Sequence, residues 1–110
     1  LKNTMPASVF SRSTECHNQD KVSMGTIAAR DAIRVLELTE QVAAATLLAA
    51  NQGVWLRGMA EDARPLPPAL AAMHEELAKD FAPVIEDRAL EGELRLCLKR
   101  IAEQHWRLHA

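Results

Sequence analysis

A chain of 110 residues with 48% hydrophobic and 25% charged residues fits a folded soluble protein of one domain at most. Two Trp, two Phe and no Tyr leave the core to Ala, Leu, Ile, Val and Met, which suits close helix packing and argues against a β-sandwich or barrel. The formal net charge is −2, and Arg57, Arg64, Arg88, Arg95, Lys99 and Arg100 are interleaved with acids, which reads as a solvated helical face and not a nucleic-acid footprint.

Residues 1–19 hold Asn3, Thr4, Pro6, Ser8, Ser11, Ser13 and Thr14. Their side chains compete for backbone hydrogen bonds, so a loop is expected, with Val9 and Phe10 as its apolar anchor. Within residues 10–25 the polar group Glu15, Asn18 and Gln19 feeds directly into a helix start, expected at Asp20 or Ser23. One turn of helix would put Glu15 and Gln19 on one side with Asn18 beside them. A carboxylate among carboxamides can hold an ammonium group and exchange a proton. Equally, these side chains can serve only to cap the helix and tie down the loop.

A long helix follows over residues 20–57. Ile27, Ala28, Ile33, Val35, Leu36, Leu38, Val42, Ala45, Leu48 and Ala49 recur at steps of three and four, opposite Arg30, Asp31, Arg34, Glu37, Glu40 and Gln41. Arg34 is placed for local pairing with Glu37 or Asp31. Residues 42–50 carry no charge, and a helix apolar on all sides is buried on all sides, yet 110 residues are too few to surround it. Gly53 and Gly58 are expected to break this helix, and Arg64-Pro-Leu-Pro-Pro68 closes a linker over residues 58–68.

Residues 69–110 read as peripheral helices. The first places Leu70, Met73, Leu77 and Phe81 on one stripe and ends before Pro83. Glu86-Asp87-Arg88 suggests a turn with a helix cap and a local ion pair. A last helix begins at Asp87 or Glu91 and runs to about Leu108, with Leu90, Leu94, Leu98 and Ile101 as its stripe, widened by Leu96, Cys97 and Trp106.

Cys16 and Cys97 lack any CxxC or CxxH context and read as free thiols in a reducing compartment. No apolar stretch is long enough to span a bilayer and no basic n-region precedes one, so a cytoplasmic protein without membrane contact is expected. His17, His74, His105 and His109 have no metal-ligand spacing, and no metal is expected. The chain begins with Leu1 and not Met, which suggests a processed product or a piece of a longer protein.

Thr-Glu-Cys-His-Asn-Gln-Asp-Lys-Val-Ser-Met-Gly, with Thr-Ile-Ala-Ala-Arg and Leu-Leu-Ala-Ala-Asn-Gln-Gly behind it, closely resembles the carboxy-terminal part of the aromatic amino acid ammonia-lyases. That family covers histidine, phenylalanine and tyrosine ammonia-lyases and related aminomutases. The resemblance is strong over residues 5–57 and weaker around Asp87-Arg88. It implies an all-α segment of a long-helix bundle, the whole being one carboxy-terminal part of a larger domain with residues 1–19 as its active-site loop. It also implies a cytoplasmic homotetramer that eliminates ammonia from an amino acid substrate to give an α,β-unsaturated acid. The electrophile would be a methylidene-imidazolone formed from an internal Ala-Ser-Gly, with no metal.

By position, Glu15 and Gln19 would be catalytic, contacting the substrate amino group or the prosthetic group. Gln19 would also bind that cofactor, Asn18 would support the substrate-binding loop, and Asp20 would cap the helix. Gln19 falls where phenylalanine and tyrosine lyases carry Gln and histidine lyases typically Glu. Glu15 matches a Glu of phenylalanine lyases, so the pair leans toward Phe or Tyr over His. Two departures follow from the same resemblance. The chain holds no Ala-Ser-Gly, since Ala7-Ser8 is followed by Val9, and it has no Tyr to act as the family's base. Alone, therefore, it is expected to be inactive, with electrophile and base supplied by the rest of the parent lyase. Two other readings stay open, an aromatic aminomutase on the same scaffold and a non-catalytic helical oligomerisation module.

Overall fold

The computed structural model describes residues 5–13, 16, 18 and 23–106. Among them the chain is all-helical: a short 3₁₀ turn over Ala7–Phe10 and three α-helices, α1 at Gly25–Gly58, α2 at Pro68–Asp80 and α3 at Glu91–Ala102. Internal contacts divide the chain into two units, Leu1–Thr39 and Glu40–Ala110.

In the first unit the 3₁₀ turn is closed by Val9 N–H donating to Pro6 O at 3.1 Å and Ser11 N–H to Ser8 O at 3.2 Å. Val9 and Phe10 do not form a buried anchor: they are 55% and 43% exposed. The first bond of α1 runs from Ala28 N–H to Met24 O at 2.8 Å, so the helix begins after Met24 and not at Ser23. Asp20 lies outside the described residues. Arg34 pairs with Glu37 at 2.8 Å, one turn apart as their spacing suggests. Thr39 Oγ1 donates to Val35 O, and Thr46 Oγ1 to Val42 O, so mid-helix hydroxyls are satisfied within the helix itself.

The second unit carries the core. Ala44 of α1, Leu77 of α2, Phe81, Cys97 of α3 and Trp106 are buried together, with Leu47, Leu48, Met73, Leu94, Leu96, Leu98 and Ile101 packed around them. The small Ala44 lets α3 approach closely enough for the Cys97 thiol to reach the Ala44 carbonyl, Sγ to O 3.9 Å. Burial pushes the Cys97 thiol pKa up from its ordinary value.

Gly53 does not break α1, which continues to Gly58. Its propensity cost of about 1 kcal/mol is outweighed by the two residues before it, which are fastened to other elements. Asn51 bonds His74 on α2, and Gln52 grips the backbone of Val84 in the connection between α2 and α3. The prolines act as the sequence suggests. Pro68 is the first residue of α2, where no N–H is needed, and Ala71 N–H reaches Pro67 O at 2.9 Å. Met73, Leu77 and Phe81 face inward, but Leu70, a turn earlier, is 56% exposed.

Glu86-Asp87-Arg88 makes neither the expected cap nor a local pair. Arg88 reaches forward to Glu93 at 2.8 Å and donates to Ala82 O at 3.1 Å, and α3 follows Leu90 without a side-chain cap. Glu91 and Glu93 in the first turn of α3, with Lys99 and Arg100 in the last, match the helix dipole. Arg100 forks onto both oxygens of Asp80 at 3.0 and 3.2 Å, tying α3 to the end of α2.

The last helix stops at Ala102, well short of Leu108. Gln104 N–H returns to Ile101 O and His105 N–H to Arg100 O, both at 3.0 Å, with Gln104 in the left-handed region at φ 51. That pair of bonds is a Schellman ending, built here on a residue other than the usual glycine. It turns the chain so that Trp106 folds back onto Phe81, ring centroids 6.2 Å apart.

Candidate functional site

Of the three residues singled out from the sequence, Glu15 and Gln19 lie outside the described residues. Asn18 is described, in irregular backbone and exposed. Between them Cys16 is exposed and takes φ 57, a left-handed conformation costing a non-glycine residue about 1–2 kcal/mol. Such strain gathers where surrounding structure or function demands it. Ser11 and Ser13 are half-buried and both engaged.

Asp31, the seventh residue of α1, buries its Oδ2 without a hydrogen-bond partner, as does the Trp106 indole N–H in the second unit. A buried carboxylate oxygen without a donor is costly, which makes Asp31 a feature that helical periodicity did not reveal. Ala7 and Ser8, the nearest approach to an Ala-Ser-Gly, sit in the 3₁₀ turn and are followed by Val9. Among the described residues no three His, Cys, Asp or Glu side chains come together to hold a metal ion. No helix there is long and apolar enough to cross a membrane.

The model of the aromatic amino acid lyase family matches residues 1–79 of this chain, a span that holds Glu15, Asn18, Gln19 and all of α1. The chain belongs to the aromatic amino acid lyase family. Histidine ammonia-lyase of Caenorhabditis elegans is 41% identical over 101 residues, covering 89% of this chain and 14% of the relative. The Homo sapiens histidine ammonia-lyase is 39% identical over 101 residues, covering 90% and 14%. That of Natranaerobius thermophilus is 35% identical over 98 residues, covering 89% and 18%. The chain thus spans about a seventh of the length of the animal relatives. No solved structure matches it.

Membership bears on how the segment before α1 is read, because that segment falls within the matched span. The lean toward phenylalanine or tyrosine drawn from Glu15 and Gln19 finds no support in these three relatives, each named for histidine. A side chain that contacts only what two ligands share cannot discriminate between them, so such a pair is a weak guide to substrate.

The sequence reading also passed over two contacts in the second unit. Gln52 Nε2 donates to Val84 O at 3.0 Å, and Val84 N–H donates to Gln52 Oε1 at 2.9 Å, so one carboxamide imitates a strand partner. His74 Nδ1 lies 2.7 Å from Asn51 Oδ1. That oxygen only accepts, so Nδ1 is the donor in this contact. The partners lie 32 and 23 residues apart, beyond the reach of any periodicity.

Proposed function

We propose that this chain is the carboxy-terminal part of a histidine ammonia-lyase, working only within its parent polypeptide. The observation that carries the reading is the family match over residues 1–79 together with about 40% identity to proteins named histidine ammonia-lyase along most of the chain. In this reading the parent eliminates ammonia from histidine to give the corresponding α,β-unsaturated acid. Glu15 and Gln19 work beside the substrate's amino group, where a carboxylate stabilises an ammonium and can exchange its proton while a carboxamide orients it. Asn18 supports the loop, a role that its exposed position leaves open to it. Asp20 caps the helix.

The electrophile is a methylidene-imidazolone derived from an Ala-Ser-Gly elsewhere in the parent, and Gln19 is the residue of this chain that would border it. The 110 residues alone are inactive in this reading, because both that group and a tyrosine base are absent from them. Assembly into a homotetramer is supported by the apolar surface left open: Ile33, Leu36 and Val42 on α1 are 59%, 63% and 66% exposed, too many large apolar side chains for a surface meant to face water. Two free thiols suit a reducing, cytoplasmic setting.

The test is Gln19→Ala in the parent enzyme, assayed for ammonia and unsaturated acid with histidine, tyrosine and phenylalanine in turn. Turnover of histidine should fall at least a hundredfold, about 2.7 kcal/mol, with the oligomer unchanged. Unchanged turnover removes Gln19 from the site, and a β-amino acid product would make the parent an aminomutase.

A further inference from the structure

The end of α1, the turn after it and α2 enclose an open groove of about 310 Å³ whose lining includes Trp55, Arg57, Met59, Arg64, Leu66 and His74. Its size lies at the lower end of small-ligand sites, room for one ring and a short polar tail. The charge inside is one-sided. Arg57 and Arg64 both line it, and neither makes an ion pair or side-chain hydrogen bond among the described residues, unlike Arg34, Arg88, Arg95 and Arg100. No Asp or Glu lines the groove, although Glu61 and Asp62 sit on the turn between the two arginines.

The remaining walls are apolar. Trp55 and Leu66 are half-buried, so they offer a firm surface and not a mobile one. His74 is held from behind by Asn51, which orients its ring through Nδ1. A flat apolar wall beside two unpaired planar guanidiniums matches a ligand with a ring and a carboxylate, since guanidinium and carboxylate pair fork to fork.

We propose that this groove binds a small aromatic carboxylate, with its ring against Trp55 and its carboxylate at Arg57 and Arg64. Inorganic phosphate would satisfy the guanidiniums but waste the apolar wall, and a neutral ring would do the reverse. The inference stands on the second unit alone and does not depend on the lyase reading, whose residues are in the first.

The experiment uses the full 110-residue chain labelled with nitrogen-15, observing the indole N–H resonances of Trp55 and Trp106 while sodium benzoate is added. Benzyl alcohol and inorganic phosphate are added in parallel. Benzoate should move the Trp55 resonance saturably and leave buried Trp106 in place. Arg57→Gln with Arg64→Gln should weaken that binding at least tenfold with an unchanged far-ultraviolet spectrum, and Arg57→Lys with Arg64→Lys should recover part of it. Equal binding of benzyl alcohol or of phosphate overturns the proposal, as does benzoate binding indifferent to the glutamine substitutions. Two indole resonances without native dispersion would overturn the groove itself. Self-association that the glutamine variants abolish, with no effect of benzoate, would assign the groove to a second copy.

Discussion

Leu77→Ala is expected to cost the second unit much of its stability. Leu77 is 3% exposed at the inner face of α2, in one cluster with Ala44, Phe81, Cys97 and Trp106. The substitution removes three carbons from a packed site, about 2.4 kcal/mol of transfer free energy at roughly 0.8 per carbon. A residual cavity on the order of 50 Å³ adds about 1.2 kcal/mol, for a total near 3.5. A unit of about 70 residues holds only about 4–10 kcal/mol in all. Urea unfolding of the 110-residue chain, followed by circular dichroism and tryptophan fluorescence, would show the midpoint falling by about a third or more with the slope retained. Leu70→Ala is the internal control, since Leu70 stands on the same helix but is 56% exposed and its loss should cost under about 0.5 kcal/mol. Equal losses for the two variants would refute the assignment of the core, because α2 propensity would then matter and burial would not.

Gln52→Ala should lower stability by about 1–3 kcal/mol, since two hydrogen bonds to Val84 are lost together, while Gln52→Glu, which keeps only an acceptor, should recover little of it in the same urea assay. Gly53→Ala should raise stability by about 0.5–1 kcal/mol, because the added methyl meets nothing within 4 Å and the helix is better formed. Under native conditions a thiol reagent should label exposed Cys16 quickly and buried Cys97 only on unfolding. The same burial, by raising the Cys97 pKa above its ordinary 9.0, gives a stability contribution that is complete below that value. It is lost as pH climbs above it, where the unfolded chain sheds the proton first, so alkaline urea midpoints should fall less for Cys97→Ala than for the native chain.

Local signals made some elements legible. Pro67 and Pro68 announce the start of α2, and the apolar steps of three and four through α1 announce a helix that is observed. What escaped the sequence depends on distant partners or on uncommon backbone. Gly53 looked like an ending because a propensity is visible in sequence, whereas the hold that Asn51 and Gln52 take on residues 23 and 32 positions away is not. The stop of α3 was missed because the left-handed residue that closes it is Gln104, not the glycine that would have marked it. Arg88 has acids beside it at 86 and 87, yet pairs with Glu93, since the start of α3 carries that carboxylate back toward the guanidinium.

The candidate site was legible in a different way. Polar residues before a helix mark the place, but capping and catalysis demand the same side chains, so the residue types alone do not separate the two. Substrate choice is not legible in these polar residues, because a contact that two ligands share cannot discriminate between them.

The most direct measurement is the product balance of the parent polypeptide incubated with histidine, reading ammonia and unsaturated acid together in wild type and Gln19→Ala. Equimolar ammonia and unsaturated acid from wild type, with a loss of at least a hundredfold in the variant, is the expected result. A parent that releases no ammonia from histidine, tyrosine or phenylalanine, or whose rate is indifferent to Gln19, would contradict it.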